Sequence, residues 1–193
     1  MFFSMIRSRL PSEIVASLLA ITTLLFSVLP FNLPAWALFI GWAGTFAAGG
    51  PSASVMRRLW MTMPVGATTA LLIVLGFQEA STLFTGPANL IADAAILFTF
   101  NTAQLYLARL PAFAFPPGMF FGFASYFAMF FGGFGPSGHN PFAAWIACLL
   151  MNALGPVYAY LNVRWSAQHG ISETTPAHRS VEGGTSPLPM PTR

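Results

Sequence analysis

The sequence FIGWAGTFA at residues 39–47 returns as FFGFASYFA at residues 120–128. The two stretches lie 81 residues apart and share Phe, Gly, Ala, Phe and Ala at matching positions. After a slip of four residues, Trp60 recurs as Trp145, 85 residues further along the chain. The chain therefore consists of two related halves.

The composition is typical of a membrane protein. The 193 residues are 55% hydrophobic and 7% charged, with a mean hydropathy of +0.67, whereas soluble domains carry about 25% charged residues. The single cysteine, Cys148, excludes an intrachain disulfide framework and a thiolate cluster. The basic residues form no stripe or face, so we do not expect a nucleic-acid partner.

A membrane-spanning helix needs about 20 apolar residues. We predict six spans, at residues 14–29, 35–48, 60–77, 87–108, 117–134 and 142–163. Each half holds three spans, and an odd number makes the second half enter the bilayer from the opposite side. The predicted fold is an all-α integral membrane protein whose six transmembrane helices form two inverted three-helix repeats, at residues 14–77 and 87–165.

The arginines predict the orientation. With both termini in the cytoplasm, all eight arginines fall on the cytoplasmic side, as the positive-inside rule expects. Residues 1–13 are then a cytoplasmic N-terminal segment. Residues 166–193 are rich in Ser, Thr, Pro and Gly, which favours a disordered cytoplasmic tail, with a docking segment as the alternative.

A cleaved signal peptide is a rival interpretation of the N-terminus. Arg7 and Arg9, the apolar run that follows them, and Ala35-Trp36-Ala37 imitate such a peptide with its cleavage site. Cleavage there would remove one arm of the repeat, so we favour an uncleaved first span.

Two stretches, NLPAWALFIGWAGTFAAGG at residues 32–50 and FPPGMFFGFASYFA at residues 115–128, resemble the bacterial domain-of-unknown-function family 1097. Members of that family show a Trp and Phe-x-Gly element that ends in Phe-Ala and a Gly pair. A Pro-Gly-x-Phe-x-Gly element follows later in the chain. The resemblance covers residues 12–165. It implies a multi-pass protein of the bacterial inner membrane and supplies no catalytic residues.

Small residues recur four positions apart in the second and fifth predicted spans. The pairs are Ala37 with Gly41, and Gly118 with Gly122. Such spacing lets helix backbones approach closely in lipid. The pairs predict helix or subunit packing, hence a homo-oligomer, with pore lining as an additional possibility.

Proline and glycine occur inside two matching spans. Pro64 and Gly66 lie in the third span, and Gly155 and Pro156 lie in the sixth. Helix breaks in corresponding spans of two inverted halves indicate a transport site. A tolerated kink is the alternative.

Polar residues inside the spans are the candidates for a solute path. They are Asp93, Asn101, Gln104, Asn152, Thr22 and Thr23. Asp93 is a carboxylate well inside a span, where a charge costs about 2.5–3.5 kcal/mol at the helix centre. We expect it to be neutral, hydrated in a cavity or hydrogen-bonded. Polar contacts between helices are the alternative role for the whole set.

These features predict a channel or transporter for a small polar or ionic solute, whose identity the sequence does not indicate. The alternative is a non-transporting scaffold or accessory subunit of a larger complex. The sequence contains no nucleophile paired with a base, no phosphate-binding glycine loop and no His/Cys/Glu cluster. We therefore expect neither an enzyme nor a cofactor or metal site.

Overall fold

The computed structural model describes residues 10–28 and 31–166, and the regular structure in these residues is helical. The helices are α1 (Ser12–Thr22), α2 (Leu24–Ser27), α3 (Ala35–Ala47), α4 (Ala53–Leu83), α5 (Pro87–Leu107), α6 (Pro116–Phe131) and α7 (Pro141–Trp165). A short 3₁₀ turn, Pro111–Phe113, precedes α6.

A helix of eleven residues or more lies at each of the six predicted spans. Three of them, α4, α5 and α7, are long and apolar enough to cross a membrane. Residues 1–9 and 167–193 lie outside the described residues. These ranges hold most of the predicted N-terminal segment and nearly all of the predicted tail.

Side-chain caps fix where the two longest helices begin. The Ser52 hydroxyl accepts a hydrogen bond from the Val55 amide (3.3 Å) at the start of α4. The Asn140 side chain accepts from the Ala143 amide (2.9 Å) at the start of α7, and Pro141 occupies the first helical position. Proline fits there because the first amides of a helix have no intrahelical acceptor.

The two helices with internal prolines are continuous. α4 runs through Pro64 and Gly66, and α7 runs through Gly155 and Pro156. The predicted breaks are therefore corrected to unbroken helices, since a membrane helix tolerates proline where neighbouring groups satisfy its backbone. Each proline still lacks an amide donor, so the carbonyl four residues earlier loses its usual partner.

Two tryptophan side chains join α4 to α7. The Trp60 indole N–H donates to the Ala153 carbonyl (3.0 Å), and the Trp145 indole N–H donates to the Thr68 hydroxyl (3.1 Å). Residue numbers rise along α4 as they fall along α7, so these two helices are antiparallel.

α4 packs most extensively against α6, and the two helices are parallel. Gly118 adjoins Thr62, and one turn further along, Phe123 adjoins Gly66. The backbones approach so closely that a Cβ atom on Gly66 would overlap the α6 main chain. Glycine is therefore required at this crossing.

α3 packs in the same way against α7. The segments that precede the two helices adjoin, because the Gly135 amide donates to the Asn32 carbonyl (2.9 Å). Further along, Gly41 adjoins Gly155, so these helices are also parallel. All four predicted packing residues are buried: Ala37, Gly41, Gly118 and Gly122.

Candidate functional site

A cavity of about 320 Å³ lies between α4 and α7. Its lining residues are Leu59, Trp60, Met63, Pro64, Leu149, Asn152 and Ala153. Pockets for small molecules have volumes of about 300–1,000 Å³ and are mostly apolar, with a few polar groups that orient the ligand. The cavity fits this description and has no ionisable side chain in its lining.

Asn152 supplies the side-chain amide of the cavity. The residue is only 2% exposed, and its Nδ2 donates to the Cys148 Sγ (3.3 Å). Its Oδ1 has no hydrogen-bond partner among the described residues. A buried acceptor left unpaired costs about 1–3 kcal/mol. This oxygen is therefore an unsatisfied acceptor, buried in a residue that lines the cavity.

The prolines of α4 and α7 each remove the usual amide donor of one backbone carbonyl. Pro64 lines the cavity and leaves the Trp60 carbonyl without its intrahelical donor. Pro156 does the same to the Asn152 carbonyl, which faces Gly41 across the α3–α7 contact. Of the residues that we predicted as helix breaks, Pro64 lines the cavity, whereas Gly66 faces α6 and Gly155 faces α3.

Trp60 forms a wall of the cavity. The residue is 43% exposed, and its indole N–H donates to the Ala153 carbonyl. An apolar groove of about 450 Å³ shares Trp60 and Ala153 with the cavity. Phe26 and Leu33 also line this groove.

The polar residues of α5 lie apart from this cavity. The Asn89 Nδ2 donates to the Asp93 Oδ2 (3.2 Å), and Asp93 is half-buried. Its Oδ1 has no partner among the described residues. α5 packs mainly against α4, and the polar residues share the face that carries Ile96, which adjoins Gly76 of α4. Asp93 thus belongs to a pair within one helix, away from the cavity lining.

A second pair on α5 has the same character. Gln104 is 1% exposed, and its Nε2 lies 3.5 Å from the Asn101 Oδ1. Its Oε1 has no partner among the described residues. The structure therefore brings Asn101 and Gln104 together, but it does not bring either of them to Asn152.

The two threonines of the first predicted span make local contacts. The Thr22 hydroxyl lies 2.8 Å from the Tyr158 hydroxyl, which ties α1 to α7. Thr23 follows α1 and donates to the Ala20 carbonyl (2.7 Å). Neither residue lines the cavity beside Asn152.

Sequence reasoning missed the role of Cys148 as the neighbour of Asn152. The thiol is fully buried, and its Sγ lies 3.8 Å from the Gly122 carbonyl. The spacing of four residues from Asn152 is the signal that predicts contact on one helix face. The cavity itself has no such signal, because it depends on how α4 crosses α7.

A family model described as a protein of unknown function, DUF1097, matches residues 13–167. The chain belongs to this family. The match includes every residue that lines the cavity and confirms the resemblance found in the sequence. Comparisons with curated proteins and with solved structures found no match.

Proposed function

We propose that this DUF1097 protein crosses the bacterial inner membrane six times, as two inverted three-helix repeats with both termini in the cytoplasm. The helix directions support this topology. α3 is parallel to α7, α4 is parallel to α6, and α4 is antiparallel to α7. Six alternating spans have these directions, and so do repeat halves of opposite orientation.

Within that topology the protein acts as a channel or transporter for a small polar solute that binds beside Asn152. The observation that carries this proposal is a cavity at the crossing of two repeat-related helices, one of whose lining residues, Asn152, has a buried and unpaired Oδ1. Transporter binding sites lie near the bilayer midplane at the interface between repeats. The cavity lining holds no charge to balance an ion, which favours an uncharged solute with an N–H or O–H donor.

A flux assay on purified protein in liposomes tests the proposal. The panel is water, urea, formate, ammonium and protons, and the variants are Asn152→Ala and Asn162→Ala. We expect the wild type to transport one uncharged solute. In Asn152→Ala the flux should fall by about tenfold, which is the effect of losing about one hydrogen bond between uncharged groups. Asn162 lies near the end of α7 outside the cavity lining, so Asn162→Ala is the matched control and keeps its flux.

Absence of flux for every solute, or equal flux in wild type and Asn152→Ala, contradicts the transport function. The alternative is then a scaffold or accessory subunit. The exposure of α5 favours that alternative, because only 6% of the residues in its apolar stretch are buried within one chain. A second copy packed on α5 would cover this helix and form a homo-oligomer in the bilayer.

A further inference from the structure

The C-terminal end of α5 carries a small groove that is separate from the cavity between α4 and α7. Thr102, Leu105, Tyr106 and Arg109 line this groove, and its volume is about 160 Å³. The four residues are spaced three and four apart, so one face of α5 and the turn after it form the groove. It shares no lining residue with the cavity.

Arg109 is the charged residue of the groove. The central carbon of its guanidinium lies 4.3 Å from the centre of the Tyr106 ring. A cation over a ring is held in place but keeps its charge. Within the described residues no carboxylate pairs with it, and Asp93, the acid of α5, is 16 residues away, about 24 Å along the helix. Arg109 is therefore an exposed cation to which an external anion can bind.

The Thr102 hydroxyl is a second group that can contact a ligand. Thr99, one turn earlier, donates its hydroxyl proton to the Ala95 carbonyl (2.7 Å), as helical threonines commonly do. The Thr102 hydroxyl forms no such bond within the part of the chain that the structure describes, and Thr102 lines the groove. The groove thus offers a cation and a hydroxyl on one face of α5, two turns apart.

The position of Arg109 along α5 fits the boundary of a bilayer. The helix has 21 residues and a length of about 32 Å, and a hydrocarbon core is about 30 Å thick. Arg109 follows the last helical residue, Leu107, by two positions. Leu105 and Phe98 are exposed on the same face. Phe98 lies about 16 Å from Arg109 along the helix, which is half of the core thickness.

We infer that this groove binds one anionic phospholipid from the leaflet at this end of α5. The lipid phosphate accepts hydrogen bonds from the Arg109 guanidinium, whose planar fork matches phosphate oxygens. The acyl chain follows Leu105 and Phe98 toward the middle of the bilayer. The Thr102 hydroxyl, deeper in the membrane than Arg109, donates to an ester oxygen. This site requires the proposed membrane crossing of α5 and is independent of transport through the α4–α7 cavity.

The class of headgroup follows from charge. A phosphatidylcholine headgroup carries its own cation beside the phosphate, and that cation would lie near Arg109. A phosphatidylglycerol headgroup carries the phosphate without a cation, so its negative charge meets the guanidinium unopposed. The anionic lipid should therefore bind more tightly than the zwitterionic lipid with the same acyl chains.

Native mass spectrometry of the full chain in non-ionic detergent measures this binding. We would add phosphatidylglycerol or phosphatidylcholine and determine the affinity of the tightest lipid site. We expect the wild type to favour phosphatidylglycerol by about tenfold. Arg109→Gln should lose about tenfold of that affinity, the effect of losing hydrogen bonds between charged groups. Arg164→Gln is the matched control and keeps the affinity, since Arg164 is an exposed arginine at the end of α7, outside the groove.

Two threonine variants separate a built site from a general attraction between arginine and anionic lipid. Thr102→Val removes the unbonded hydroxyl and should weaken phosphatidylglycerol binding by about threefold, the effect of one hydrogen bond. Thr99→Val is its control, because that hydroxyl is bonded to the Ala95 carbonyl, and it should leave the affinity unchanged.

Losses in Arg109→Gln and Thr102→Val, without losses in their controls, support the lipid site. Equal losses in Arg109→Gln and Arg164→Gln, equal binding of the two lipids, or no lipid binding by the wild type overturns it. Inorganic phosphate tests the other source of the anion. If inorganic phosphate displaces bound phosphatidylglycerol, the groove is a site for free phosphate and the lipid assignment is wrong.

The lipid measurement and the flux assay fail independently. Solute flux without selective lipid binding overturns the lipid site and leaves the transport function. Selective lipid binding without flux of any solute overturns the transport function and leaves the lipid site.

Discussion

The polar residues of α5 and those of α7 lie in different surroundings. Only 6% of the residues in the apolar stretch of α5 are buried, and Asp93 pairs with Asn89 of the same helix. In α7, 50% of the residues in the apolar stretch are buried. Asn152 of this helix lies at the crossing with α4, in the lining of a cavity. The difference shows that space beside a polar residue arises here where two helices cross, whereas a carboxylate inside a predicted span can find its partner on its own helix.

We expect the α4–α6 crossing to have no room for a larger side chain and the α4–α5 contact to accommodate one. A Cβ atom on Gly122 would overlap the Met63 carbonyl, whereas one on Gly76 meets a movable Ile96 side chain. Gly122→Ala should lower the free energy of unfolding by about 1–3 kcal/mol, the range for overpacking. Thermal unfolding in detergent micelles measures this loss.

Gly76→Ala is the control, and we expect it to lower the free energy of unfolding by less than about 1 kcal/mol. If the two variants unfold alike, the α4–α6 crossing is no more constrained than the α5 contact. The distinction between the two regions would then be wrong.

A larger side chain in the cavity lining tests the role of the cavity without removing a polar group. Ala153 is exposed and lines the cavity, and its backbone carbonyl, which accepts from Trp60, is retained in Ala153→Phe. We expect liposome flux to fall by about tenfold or more, because a pocket of this size loses its ligand when a ring occupies it. Circular dichroism should show unchanged helix content.

Ala95→Phe on the exposed side of α5 is the matched control and should keep the wild-type flux. Equal losses in Ala153→Phe and Ala95→Phe would mean that added bulk perturbs the protein generally. In that case the cavity between α4 and α7 is not the solute path.

The sequence predicted the helices better than the site. Hydrophobic length places the helices, because this signal is local. The close approach at Gly41 and Gly122 follows from small residues spaced four apart. These features need no knowledge of which helix is the neighbour.

The site depends on that neighbour. Asp93 is the most conspicuous polar residue of the spans, yet its partner is Asn89, one turn earlier on the same helix. Asn152 is a less conspicuous residue, and its importance comes from Pro64 and Trp60 on another helix. Residue type predicts the desolvation penalty, whereas the cavity arises from the angle and register of two helices.

The most direct measurement compares the flux of Asn152→Ala with that of Asp93→Asn in the same liposome assay. Our account predicts a loss of about tenfold in Asn152→Ala. We expect a change of less than about threefold in Asp93→Asn, the size of one polar contact in a membrane protein, because Asp93 pairs within α5 and lies apart from the cavity. The reverse order, with flux lost in Asp93→Asn and kept in Asn152→Ala, would contradict the account and place the solute path along α5.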